Sequence, residues 1–152
     1  MSIKYNYFTK KKSYSQFGED ITISNFFGDF VGTYVDIGCY QPIKYSNTAL
    51  LHKKGWYGVN IDLNKTSIAL FNACRKNDRN ITACLSDKKE EVEVYIDNEF
   101  SALNSMNLKN IEDFKLKDFK KIKFKTSLFS ELILNNFDFL NIDCEGNDLK
   151  IL

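Results

Sequence analysis

The stretch Thr33-Tyr34-Val35-Asp36-Ile37-Gly38 decides how the rest of the chain is read. β-Branched and aromatic residues surround a single acid and stop at a glycine, the composition of a short buried strand. Its neighbours carry the same punctuation. Residues 45–54 are helical in composition, with Ser46 or Asn47 as the cap, two lysines in the last turn and Gly55 as the closing residue. Trp56 to Asp62 is a second strand, Asn64 caps a helix running to about Lys76, and Ile81 to Leu85 is a third strand. Upstream, Ile21, Ile23, Phe26, Phe27 and Phe30 predict a short amphipathic helix closed near Gly28 or Gly32.

Further along, Glu91 to Ile96 alternates, with Val92, Val94 and Ile96 on one face, as an edge strand does. A polar, lysine-rich stretch over 97–121 reads as a loop with one helix near Leu108 to Phe119. Ile122 to Thr126 alternates again, Ser127 to Asn135 reads as a helix, and Phe137 to Asp143 is a strongly apolar strand. Strands alternating with helices over short connections imply βαβ units, so the expectation is an α/β fold with a mainly parallel sheet and flanking helices. Residues 1–13 read as a flexible arm and 14–152 as one domain.

Composition excludes several classes of function. Of 152 residues, 21 are basic and 20 acidic, a formal charge of +1 that gives no drive toward nucleic acid or an anionic membrane. Cys39, Cys74, Cys84 and Cys144 are scattered without a CxxC pair, and His52 is the only histidine, so no metal site is expected. No apolar run reaches the length of a membrane span and no signal core opens the chain. The expected setting is cytoplasmic, with free thiols.

In open parallel sheets, ligands sit beyond the carboxyl ends of the strands where the strand order reverses. Three strands end there in acids: Asp36 with Gly38, Asp62 with Asn64, and Asp143 with Glu145. Asp62 follows Gly38 by 24 residues, close to the spacing of a ribose-binding carboxylate. However, Gly38 is followed by Cys39-Tyr40-Gln41-Pro42, without the further glycines that let backbone approach a pyrophosphate, so NAD is disfavoured. S-adenosylmethionine, which has a sulfonium, an ammonium and a ribose diol but no phosphate, suits these residues better. Asp36 can serve the ammonium directly or through water, Gly38 lets the backbone pass close, and Asp62 can accept both ribose hydroxyls.

The segments SQFGED (Ser15–Asp20), YVDIGCYQP (Tyr34–Pro42), YSNT (Tyr45–Thr48), KKGWYGVNIDLN (Lys53–Asn64), LSD (Leu85–Asp87) and FLNIDCEG (Phe139–Gly146) resemble, in order and spacing, the motifs of FkbM-type methyltransferases. The resemblance runs from about Tyr14 to the last residue. It implies a Rossmann-like class I methyltransferase fold, S-adenosylmethionine as cofactor, and methyl transfer to a hydroxyl of a small-molecule acceptor, a sugar or secondary metabolite. By the same resemblance Asp36 and Gly38 fall in the cofactor loop, Asp62 on the ribose, and Ser86 with Asp87 near the adenine. Gln16 and Asp20 match a motif that closes over the cofactor. Asp143 and Glu145 stand beside the transferring methyl group, either one a candidate general base.

Plainer readings stand beside these. Asp36 and Asp62 could cap helices, Ser86-Asp87 could be a turn, and Asp143-Cys144-Glu145-Gly146 a capping turn. Cys39, Trp56 and the phenylalanines read as core, and His52 as a helix-end cation. A complete fold of the class has more strands than precede Leu152, so the domain is expected to be C-terminally incomplete, its fourth strand an open edge that invites a homo-oligomer. The alternative to an enzyme is a non-catalytic nucleoside-binding or interaction module on the same sheet.

Overall fold

The computed structural model describes residues 13–96, 120–144 and 147–151. The 33–38 stretch is the centre of a four-stranded sheet. Strand β1 (Thr33–Ile37) lies between β2 (Tyr57–Asp62) and β7 (Phe139–Ile142), and β2 pairs on its far side with β3 (Arg79–Thr82). The order is β3-β2-β1-β7 and every pairing is parallel. Because β2 and β3 step to one side of β1 and β7 lies on the other, strand order reverses between β1 and β7, where ligands of such sheets bind.

Helices α1 (Glu19–Phe27), α2 (Ala49–Lys53) and α3 (Lys65–Cys74) follow from local chemistry. Helix α1 ends on Gly28, whose φ of 58° suits glycine at a helix end. Helix α3 is capped as its sequence predicts, the Asn64 side chain accepting from the Thr66 N–H. Helix α2 is shorter than expected and starts after Thr48, so neither Ser46 nor Asn47 is its cap.

One sheet face is apolar: Val35, Ile37 and Ile61 pack with Leu85 and Ile151, and with residues around α4 (Phe129–Leu132) and from α5 (Asp148–Ile151). The other face carries Tyr34, which joins Leu51 and Trp56 in a second cluster with Ile23, Phe27 and Phe139. Trp56 is 1% exposed and anchored by its indole N–H donating to the Phe30 carbonyl (2.9 Å). The phenylalanines are not all core, since Phe17 and Phe26 are 83% exposed.

The expected strand over Ile81–Leu85 is divided. Residues 79–82 belong to the main sheet, while β4 (Cys84–Leu85) joins β5 (Glu91–Ile96) and β6 (Lys120–Ser127) in a second, three-stranded sheet of order β4-β6-β5. The helix expected over 127–135 is a single turn at 129–132, and the residues that continue it pack as irregular chain. The arm expected at 1–13, the loop and helix over 97–119, and Glu145 with Gly146 fall outside the described residues, apart from Ser13.

Candidate functional site

Ile37 pairs with Ile61 on one side and Ile142 on the other, which brings Gly38, Asp62 and Asp143 level at the carboxyl rim. Backbone hydrogen bonds hold the three ends together: Gly38 N–H donates to the Ile61 carbonyl (2.9 Å) and Asp143 N–H to the Ile37 carbonyl (3.0 Å). Gly38 has φ +73°, and a Cβ there would stand 2.0 Å from the Asp143 carbonyl oxygen. A glycine is therefore required at this position by the neighbouring strand end itself.

After Gly38 the loop folds back on β2. Tyr40, itself at φ 52°, donates its N–H to Asp62 Oδ2 (2.9 Å), and the Asn64 N–H donates to Oδ1 (2.8 Å). Each carboxylate oxygen retains lone-pair capacity after these bonds. Burial raises the Asp62 carboxyl above its ordinary value, the Asn64 and Tyr40 amides pull it down, and the charge of Asp36 raises it again.

Asp36 lies one residue deeper, in register with Asn60 and Asn141, and is 1% exposed. Thr48 donates its hydroxyl to Oδ2 (2.5 Å) and Asn141 its amide to Oδ1 (2.8 Å). Asn47 in turn donates to Asn141 Oδ1 (3.0 Å), which fixes the orientation of that amide. Burial raises the Asp36 carboxyl, against the lowering effects of Thr48, Arg75 and Asn141. Sequence reading missed Arg75 and Asp78 and gave no role to Thr48 and Asn141, which lie in the YSNT and FLNIDCEG segments, although all four converge beneath this rim.

The other expected residues separate. Asn64 caps α3 and also lines a cavity of about 660 Å³ with Thr66, Ala83, Ile96 and Phe124, beside the Asp62 end of the rim. Ser86 is buried, its N–H on the Ser127 carbonyl (3.1 Å) and its hydroxyl on Asp87 Oδ1 (3.1 Å), a turn into the second sheet. Asp20 is fully buried and accepts from Ser13 Oγ, Ser15 Oγ and the Tyr14 N–H at 2.6–2.8 Å. It organises the N-terminal segment, which joins the rim loop through Ser46 N–H on the Tyr14 carbonyl (3.2 Å). Gln16 is exposed beside it.

Asp143 is solvent-facing at the end of β7; partial desolvation first, then the charges of Asp148 and Glu19, raise its carboxyl. His52 departs from the helix-end cation expected of it. Burial and Arg75 lower its pKa despite Asp78, 3.8 Å from Nδ1, and a neutral imidazole adds no charge to the helix end. Cys39 is buried with Ile68 and Phe71, and burial pushes its thiol well up, so it packs rather than attacks. No cluster among the described residues could hold a metal ion, and no helix among them is long and apolar enough to cross a membrane.

A parallel sheet with its reversal point at β1/β7, and carboxylates on three adjacent strand ends, defines a Rossmann-like α/β domain with an acidic ligand rim. The family model described as the methyltransferase FkbM domain matches residues 36–152. The chain belongs to the FkbM methyltransferase family, and its domain is that of a methyltransferase. No curated protein and no solved structure matches it.

Proposed function

We propose that the chain is an S-adenosylmethionine-dependent O-methyltransferase acting on a hydroxyl of a sugar or other small metabolite. The observation that carries this reading is the level row of Gly38, Asp62 and Asp143 above Asp36, negative and without a pyrophosphate cradle. A cationic nucleoside fits such a rim, whereas a dinucleotide would place phosphates against carboxylates. The cofactor, when bound, supplies an electrophilic methyl group on a sulfonium.

The residues of the chain do the rest by binding and alignment, which carry most of the rate in such a displacement. Asp62, its two oxygens already held by backbone amides, presents its remaining lone pairs to the ribose diol. Asp36 is too deeply buried for direct contact and acts as a fixed negative charge under the loop, favouring the sulfonium and ammonium. Asp143, solvent-facing with a raised pKa, accepts the proton of the acceptor hydroxyl as the methyl group moves. Glu145 is the second candidate for that role, and Ser86 and Asp87 flank the adenine.

Calorimetry with S-adenosylmethionine, S-adenosylhomocysteine and NAD tests the cofactor. Binding of the first two and not the third is expected; preference for NAD would overturn the reading. Methyl transfer from labelled cofactor to a panel of sugars and phenolic or aliphatic alcohols tests the acceptor class.

A further inference from the structure

The most deeply buried cation among the described residues, Arg75, lies beneath the rim in the layer that holds Asp36. Arg75 follows the last residue of α3, is 2% exposed, and has no carboxylate within ion-pair distance among the described residues. Its donors go to oxygens on three sides. One terminal nitrogen donates to the Thr48 hydroxyl (2.8 Å), the Tyr34 hydroxyl (2.9 Å) and Asn60 Oδ1 (3.5 Å). The other donates to the Pro42 carbonyl (2.6 Å) and the Ser46 hydroxyl (3.0 Å).

Each of the first two hydroxyls has a single proton, and accepting from Arg75 leaves that proton free to point away. Thr48 sends it to Asp36 and Tyr34 sends it to Asp78. Asp78 also accepts from Asn60 Nδ2 (2.9 Å) and the Gly58 N–H (3.2 Å). One guanidinium thus reaches two buried carboxylates, each at one hydroxyl's remove. A buried charge is costly unless it is compensated and hydrogen-bonded, and this arrangement supplies both.

We propose that Arg75 is a positioning residue for the ligand rim: through Thr48 it keeps Asp36 a proton-free acceptor, and through Pro42 and Ser46 it fixes the loop that folds onto Asp62. The ligand consequence rests on the cofactor reading above; the effect on Asp36 does not. Lysine cannot substitute, because three donors on one nitrogen cannot reach the hydroxyl pair and the loop carbonyl together. Several charged or titratable groups surround Asp36. Arg75 and Cys39 lie beside it, Asp62 is at the end of β2, and Asp143 follows β7. Asp78 and His52 lie beyond Tyr34. Burial, Asp143 and Asp62 oppose its ionisation, and the Thr48 hydroxyl with the cation at Arg75 behind it is the counterweight.

The test follows the Asp36 side-chain carboxyl by carbon NMR through a pH titration of the ligand-free full chain, in wild type, Arg75→Lys and Thr48→Val. Calorimetry with S-adenosylhomocysteine from pH 6 to 8.5 accompanies it. The Asp36 midpoint is expected to move upward in both variants. Affinity in Thr48→Val should fall about tenfold at pH 6 and recover toward wild type as pH rises, because Asp36 regains its charge. Thr48→Val keeps Arg75 and reads the relay even where Arg75→Lys fails to fold. An Asp36 midpoint unchanged in Thr48→Val overturns the proposal, as does a loss of affinity equal at every pH. Failure of wild type to bind S-adenosylhomocysteine would sink the cofactor reading alone, and the titration would still decide the role of Arg75.

Discussion

Among the described residues, Asp143 stands at the one place on the rim where a carboxylate is both raised in pKa and open to solvent. A base of this kind works when ionised, so transfer should slow as pH falls through its raised value. In Asp143→Asn that acid limb should vanish and kcat drop by about 10² to 10⁴, with S-adenosylhomocysteine affinity retained; stopped-time methyl transfer across pH measures both. Asp20 makes the opposite kind of residue. Desolvation raises its carboxyl, but the hydrogen bonds it accepts from Ser13, Tyr14, Ser15 and the Ile21 N–H outweigh that and hold it below the ordinary value. The stability it confers is fully present above its unfolded pKa and is lost as pH falls through the depressed folded value. Asp20→Ala should cost about 1–3 kcal/mol at pH 7, and in urea titrations the gap to wild type should narrow as pH falls through that depressed value. Asp36, Asp62 and Asp143 were legible because each sits at the end of an apolar run. Arg75 was not: its partners Pro42, Ser46, Thr48 and Tyr34 precede it by 27–41 residues, and no local spacing marks them.

Elements show the same division between local and distant causes. Strands β1, β2 and β7 could be read from sequence because strands of a parallel sheet covered on both faces are apolar along much of their length. Of the second sheet, the alternation over Glu91–Ile96 and Ile122–Thr126 marked β5 and most of β6, whose lysines pair across to Glu91 and Glu93, but β4, two residues split from the Ile81–Leu85 run, carried no signal of its own. Helix α3 could be read because its cap is local. Replacing Asn64 by alanine should cost about 1 kcal/mol, measured by chemical denaturation. Gly38→Ala is expected to be harsher, since both the positive φ and the Asp143 carbonyl oppose a methyl group. A loss of roughly 2–5 kcal/mol is expected, with β1 and β7 forced apart at the rim and ligand binding abolished in calorimetry.

At the scale of the molecule, a ligand that binds the native rim must stabilise the whole fold by mass action. S-adenosylhomocysteine at a hundred times its dissociation constant adds about 2.7 kcal/mol. For a chain of this size that is a rise in Tm of roughly 5–10 °C, readable by scanning fluorimetry, with no shift from NAD.

The polar row that crosses the sheet beneath the rim, Asn60 beside Asp36 beside Asn141, has a consequence for how the chain finds its fold. Apolar strands alone would tolerate sliding past one another, because valine, isoleucine and leucine are nearly interchangeable partners. A slip of one residue here would turn Asp36 out of the Thr48–Arg75 layer and push it among Val35, Ile37 and Ile61, where a carboxylate has no donor. Misaligned sheets are therefore penalised far more than the native one is rewarded, and the strands can zip together in only one alignment.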